Sequence, residues 1–178
     1  MKMWKRFAAV VLTAAAVLLA GCGNVTMLQE YSFGYVQLKT GDSEVYLMSP
    51  FDLAHVQRQN GEGMMYVNND KHINIIVVSE PSSEGTPQAM AEKDVAMLKQ
   101  TPDITDLQTK VADATVSGRT AVTGVYTYDE PLNGQKASLV VKSLFFEDNG
   151  QVWHVMYMYR KGDAMGEEVT NHIFGQLK

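Results

Sequence analysis

From residue 31 onward, apolar and polar positions alternate with a period of two, and the chain reads as a succession of strands. Residues 31–38 alternate, residues 44–48 form a second short extended run, and Pro50 interrupts. Residues 53–58 and 63–67 flank Asn60-Gly61, a pair suited to the positive φ values of a tight hairpin turn. Asn69-Asp70 marks another turn, and the continuous apolar run of residues 73–78 predicts a strand buried on both faces. Residues 80–85 read as a loop.

Helical spacing appears twice. Thr86-Pro87 reads as an N-cap followed by a first helical residue, opening a helix to about Gln100 with the stripe Met90, Ala91, Val95, Met97 and Leu98. Pro102 ends it. Two hairpins follow, residues 107–116 with 119–128 around Ser117-Gly118, and residues 137–148 with 151–160 around Asn149-Gly150, separated by a loop at 131–135. Pairing across the second turn sets Phe146 opposite Trp153, Leu144 opposite Val155, Val140 opposite Tyr159 and Val141 opposite Met158. Asp163 caps a last helix whose inward stripe is Met165, Val169, Ile173 and Leu177, with Glu167 and Glu168 in its first turns. Consecutive hairpins with two helices predict an α+β fold: an antiparallel sheet of hairpins with the helices packed on it. No strand runs into a glycine-rich loop and helix, so nothing calls for a nucleotide, and no cofactor is expected.

The first residues follow a different pattern. Lys2, Lys5 and Arg6 precede an apolar run from Phe7 to Leu19, shorter than the roughly 20 residues a spanning helix needs. It closes on Leu19-Ala20-Gly21-Cys22, which resembles the lipobox of bacterial lipoprotein precursors. The resemblance implies residues 1–21 as a signal peptide, cleavage before Cys22, and a diacylglycerol on its thiol with acylation of the new amino terminus. Residues 22–30 then form a lipidated tether and residues 31–178 a single domain. One acyl chain holds a protein only marginally, whereas two or three on Cys22 hold it durably. The membrane, through the Cys22 lipid, is the first expected partner. The implied location is the extracytoplasmic face of the cell envelope. With Gly23 rather than Asp after the lipidated residue, that is the outer membrane of a double-membrane bacterium, and otherwise the outer face of the plasma membrane.

Charge and cysteine usage narrow the function. The leader holds three of the fifteen cations and none of the twenty acids, so the mature charge is −8. Such a domain gains nothing from phosphate backbones, which excludes nucleic acid as a natural partner, and it is repelled by anionic headgroups. Cys22 is the only cysteine, so the fold stands on its hydrophobic core without a disulfide.

The element order, the early Pro50, the Gly118 hairpin with Ala121 after it, and the long aromatic hairpin before the last helix resemble the PsbP-like fold. Its members include photosystem extrinsic subunits, a nuclear transport factor that binds the Ran GTPase, and small bacterial envelope lipoproteins. The resemblance spans roughly residues 31–178 and implies an α-β-α sandwich used for binding proteins, without a common enzymatic activity. A cystatin-like arrangement is another α+β reading.

Two faces of the last hairpin carry candidate chemistry. Trp153, Tyr157 and Tyr159, with Phe146 across the turn, share one face and could form an aromatic groove for a peptide, glycan or lipid. His154, Met156 and Met158 share the other, an imidazole and two thioethers of the kind that suit a soft metal such as Cu(I), with Met64 and Met65 as further sulfurs. Methionines on a half-buried strand also simply fill core gaps. His55 and His72 have no carboxylate at ligand spacing, His172 falls at the edge of the last helix's packed face, and Ser117 lacks a hydrolase motif. The expected function is a lipid-anchored, non-enzymatic envelope module that binds a partner protein. The alternatives are a small-ligand or lipid carrier with a pocket between sheet and helix, and a soft-metal-binding protein.

Overall fold

The computed structural model describes residues 27–57, 64–68, 70–132 and 134–178. The chain divides into two units, residues 1–30 and residues 31–178. In the first unit the described part is a 3₁₀ turn, Met27–Glu30. The leader, Cys22, Asn60-Gly61 and Asn69 lie outside the described residues.

The second unit is built on a seven-stranded antiparallel sheet in the order β3-β4-β5-β9-β8-β7-β6, with a separate β1-β2 hairpin. The strands are β1 (Gly34–Thr40), β2 (Ser43–Ser49), β3 (Ala54–Gln57), β4 (Met64–Val67) and β5 (Asn74–Pro81). Helix α1 (Pro87–Gln100) follows, then β6 (Thr105–Val116), β7 (Arg119–Leu132), β8 (Gln135–Asp148), β9 (Gln151–Arg160) and α2 (Ala164–Ile173). This is the α+β arrangement that the hairpin pattern predicts.

Both tight turns form as expected. Ser117 and Gly118 sit at φ 50° and 77°, Asn149 and Gly150 at φ 43° and 77°, the doubly positive geometry that matches strand twist. The register of the last hairpin is the expected one, pairing Phe146 with Trp153, Leu144 with Val155, Val141 with Met158 and Val140 with Tyr159.

Because side chains alternate along each strand, the sheet has two distinct faces. On one, α1 lies over Val122, Tyr126 and Tyr128 of β7 and Leu139, Val141 and Phe145 of β8. On the other, the β1-β2 hairpin and α2 cover Phe146, Trp153, Val155, Tyr157 and Tyr159. The hairpin contributes Leu38, Val45 and Leu47, all fully buried. It is tied down where Tyr66 Oη donates to Lys39 O at 2.9 Å and accepts from Lys39 N at 3.0 Å.

Four local expectations change. Met97 is not in the inward stripe of α1 but 59% exposed, and Asp94 takes the inward position between Met90-Ala91 and Leu98. Helix α2 ends at Ile173, and Leu177 instead pairs with Leu47 as the chain turns back along β2. Residues 80–85 are not all loop, since β5 runs to Pro81 and a 3₁₀ turn follows at Ser82–Glu84. Strands β7 and β8 extend into the expected 131–135 loop as far as Leu132 and Gln135, because the ladder continues through the Pro131–Lys136 pair.

Candidate functional site

The β8-β9 hairpin gathers the chemistry, and its two faces have different fates. Trp153, Tyr157 and Phe146 are fully buried and Tyr159 is 6% exposed, so this row is core beneath the hairpin and α2 rather than an open groove. The Trp153 indole donates to Ser43 Oγ at 2.8 Å, and Ser43 donates in turn to Asp148 at 2.8 Å. Asp148 is held by Arg119, whose Nε lies 3.0 Å away. The Tyr157 ring meets Phe174 edge-on at 5.6 Å, and burial pushes its hydroxyl far above the ordinary phenol range. Tyr159 packs under Gly166, where an added Cβ would come within 2.8 Å of the Tyr159 Cβ and 2.7 Å of His72 O. That glycine lets α2 lie directly on the sheet.

The opposite face holds a buried polar cluster beneath α1. His154 is 4% exposed and stacks on Phe145 at 4.0 Å between centroids. Its Nε2 shares a 3.0 Å hydrogen bond with Ser143 Oγ and lies 3.7 Å from Asp94 Oδ2. Tyr126 reaches over Gly124, which has no side chain to displace it, toward Ser143 on the neighbouring strand. The Tyr126 hydroxyl is close enough to Asp94 and Ser143 for both to influence its ionisation, yet no well-formed hydrogen bond ends on it.

The electrostatics follow from burial. Desolvation raises the Asp94 carboxyl to about 6, against a lowering contribution from Tyr126. Desolvation lowers the His154 imidazole to about 3, so it is neutral through the physiological range. Tyr128 is raised to about 12 by burial, with Glu130 and Asp94 adding to the effect.

Asp94, Ser143 and His154 are the residue types of a hydrolytic triad, but not its geometry. A triad places serine and carboxylate on opposite ring nitrogens, whereas here both address Nε2. Met156 and Met158 share the face of His154, half-buried against the cluster of Tyr126, Tyr128, Leu139 and Val141, where they fill the contact with α1. Among the described residues no three histidine, cysteine or carboxylate side chains converge in a way that could hold a metal ion.

The other histidines separate. His72 Nδ1 meets Asp163 Oδ2 at 2.8 Å, a carboxylate 91 residues away that no local spacing could reveal. His172 packs on Phe33 at 4.5 Å, and His55 on Tyr66 at 5.3 Å. The described residues form surface clefts. One, of about 100 Å³, is lined by Glu80, Glu84, Met90 and Lys93, and another, of about 180 Å³, by Asp103, Asp129, Glu130 and Lys136.

Against known proteins, no family model and no curated sequence matches the chain. Solved structures do. The solution structure of cyanobacterial PsbP (CyanoP) from Synechocystis sp. PCC 6803 superposes with a TM-score of 0.55 at 11% identity, covering 88% of this chain and 96% of that one. The fold is PsbP-like. LpqN, involved in cell envelope biogenesis of Mycobacterium tuberculosis, gives a TM-score of 0.49 at 15% identity over 85% of this chain and 93% of its own. The Pseudomonas aeruginosa protein PA94, described as a protein of unknown function and putative regulator, gives 0.43 at 15% identity over 78% and 91%.

The residues that sequence reasoning missed are Asp94, Tyr126 and Ser143. Only Asp94 left a signal, a carboxylate three residues past Ala91 and four before Leu98, inside the apolar stripe of α1.

Proposed function

We propose that this chain is a lipid-anchored, non-enzymatic module on the extracytoplasmic side of a bacterial membrane, held by acyl chains on Cys22, that binds a partner protein there. The observation that carries partner binding is strand β6. Among the described residues it is the outer strand of the seven-stranded sheet with one edge unpaired, and nine of its twelve residues are exposed. An edge of that length offers a row of backbone donors and acceptors to an added strand. Lys110 and Asp113 on it discourage indiscriminate pairing. Val111 on β6 and Val125 on β7, 36% and 37% exposed, add one apolar side chain to each face of the sheet near the edge. No helix among the described residues is long and apolar enough to cross a membrane. In a double-membrane bacterium the anchor is assigned to the outer membrane, and otherwise to the outer face of the plasma membrane.

Photo-crosslinking tests the reading. A photoreactive residue at Gln108 on β6, in the lipidated protein in its own envelope, is expected to capture one dominant protein, while the same residue at Met97 on α1 does not. Equal background capture at both positions refutes β6 as the partner surface. Mass spectrometry of the native protein tests the anchor, and an unmodified Cys22 removes it.

A further inference from the structure

The β1-β2 hairpin has an outer as well as an inner face. Leu38, Val45 and Leu47 point inward and are fully buried, which leaves Tyr35, Gln37 and Lys39 of β1 and Glu44, Tyr46 and Met48 of β2 on the outside. Residues 176–178 run antiparallel beside β2 through a single bridge, with Lys178 N donating to Tyr46 O at 2.9 Å and Met48 N to Gln176 O at 2.9 Å. Tyr35 and Tyr46 are each 38% exposed. The other large exposed apolar side chains, Met97, Val111, Val125 and Leu132, are scattered over α1, β6 and β7.

The plate is ordered by its own polar groups. Glu44 accepts from Tyr46 Oη at 2.6 Å and Gln37 Nε2 at 2.8 Å and pairs with Lys39 at 3.7 Å. The Lys178 ammonium sits over the Tyr35 ring, 3.8 Å from its centroid. The outer face thus carries two amphipathic tyrosines and two lysines, with the Glu44 carboxylate engaged by Tyr46, Gln37 and Lys39, on a mature chain whose net charge is −8.

We infer that this outer plate is a membrane-docking surface, with Tyr35 and Tyr46 at the headgroup level of a phospholipid bilayer and Lys39 and Lys178 reaching its phosphates. Three observations select a bilayer as the occupant. The plate is the first element after the tether, and Tyr35 is thirteen residues from Cys22. Even fully extended, that chain keeps the plate within about 45 Å of the lipid. Tyrosine is suited to a site with one apolar and one wet side, and lysine can lay its stem on apolar surface while its head meets phosphate. Finally, Lys39 and Lys178 place cations on this face of an acidic domain, and cations are drawn to an anionic headgroup surface.

The inference rests on the lipid anchor proposed above, and one experiment separates the two. The lipidated protein is placed in nanodiscs of phosphatidylethanolamine and phosphatidylglycerol that carry a nitroxide lipid, after mass spectrometry of Cys22. Signals of Tyr35, Tyr46 and Lys178 are expected to be lost from the NMR spectrum while those of Val111 and Val125 survive. The double variant Y35S/Y46S, altered only on the outer face, is expected to keep the wild-type spectrum in detergent and to lose that selectivity in nanodiscs. Unmodified Cys22 overturns the anchor and the docking surface together. Lipidated Cys22 with uniform broadening, or with protection of the plate in envelope membranes but not in protein-free nanodiscs, overturns the docking surface alone. The second pattern assigns the plate to a protein.

Discussion

Asp94 and His154 are individually unfavourable choices for the underside of a helix, and their costs have opposite pH dependence. The folded carboxyl is raised to about 6 from an ordinary 3.8, so its contribution is fully present below the ordinary value and is lost as pH rises through 6. The folded imidazole is lowered to about 3 from 6.5, so its contribution is present above 6.5 and lost as pH falls. Across the window between those limits the folded pair holds one proton on Asp94, and the unfolded pair holds one on the histidine. The two slopes therefore cancel in the native protein. D94N is expected to leave only the histidine slope, with stability rising between about pH 4 and pH 6.5 by at most ~1.4 kcal/mol per pH unit. H154Q is expected to slope the other way and less steeply, because Asp94 keeps some solvent to screen it. Urea unfolding midpoints across that range measure both, and parallel pH profiles for the two variants would refute the pairing.

At the level of elements, α2 is held by its first turn. Asp163 accepts from Met165 N and Gly166 N at 3.1 Å each while meeting His72 at 2.8 Å, so one carboxylate caps the helix and ties it to the turn before β5. Burial works to raise that carboxyl, but the His72 contact and the two amides outweigh it and hold it below the usual range. A depressed value means stability present above the ordinary carboxylate pKa and lost in acid. D163A is expected to cost about 1–2 kcal/mol at neutral pH and to flatten part of the acid limb, read by denaturant titration. The sequence already marked Asp163 as a cap, since Asp before a helical stripe has a local cause. His72 as its partner was not legible, because the contact joins positions 91 residues apart.

For the whole molecule, the chain's end closes the hairpin layer. Tyr46 and Met48 amides donate to Lys178 O and Gln176 O at 3.0 and 2.9 Å, and Ser117 Oγ donates to Leu177 O at 2.6 Å, linking the tail to the β6-β7 turn. Deleting residues 175–178 is expected to speed hydrogen exchange at Tyr46 and Met48 while amides of the central β8-β9 ladder stay protected. Unchanged exchange at Tyr46 would show that the tail is not part of the layer.

The sequence by itself determined what depends on near neighbours. Period-two alternation made strands, Asn149-Gly150 and Ser117-Gly118 made turns because those residues tolerate positive φ, and a two-residue turn then set the Phe146–Trp153 register. Together these were enough for an α+β sheet of hairpins and a PsbP-like arrangement. Tertiary structure alone decided which side of each strand met a helix and which met the hairpin. That is why the aromatic row of Trp153, Tyr157 and Tyr159 became core, and why His154 found Ser143 and Asp94 rather than an open coordination site. Alternation sorts side chains into two faces, but only the packing of distant elements fixes what each face touches.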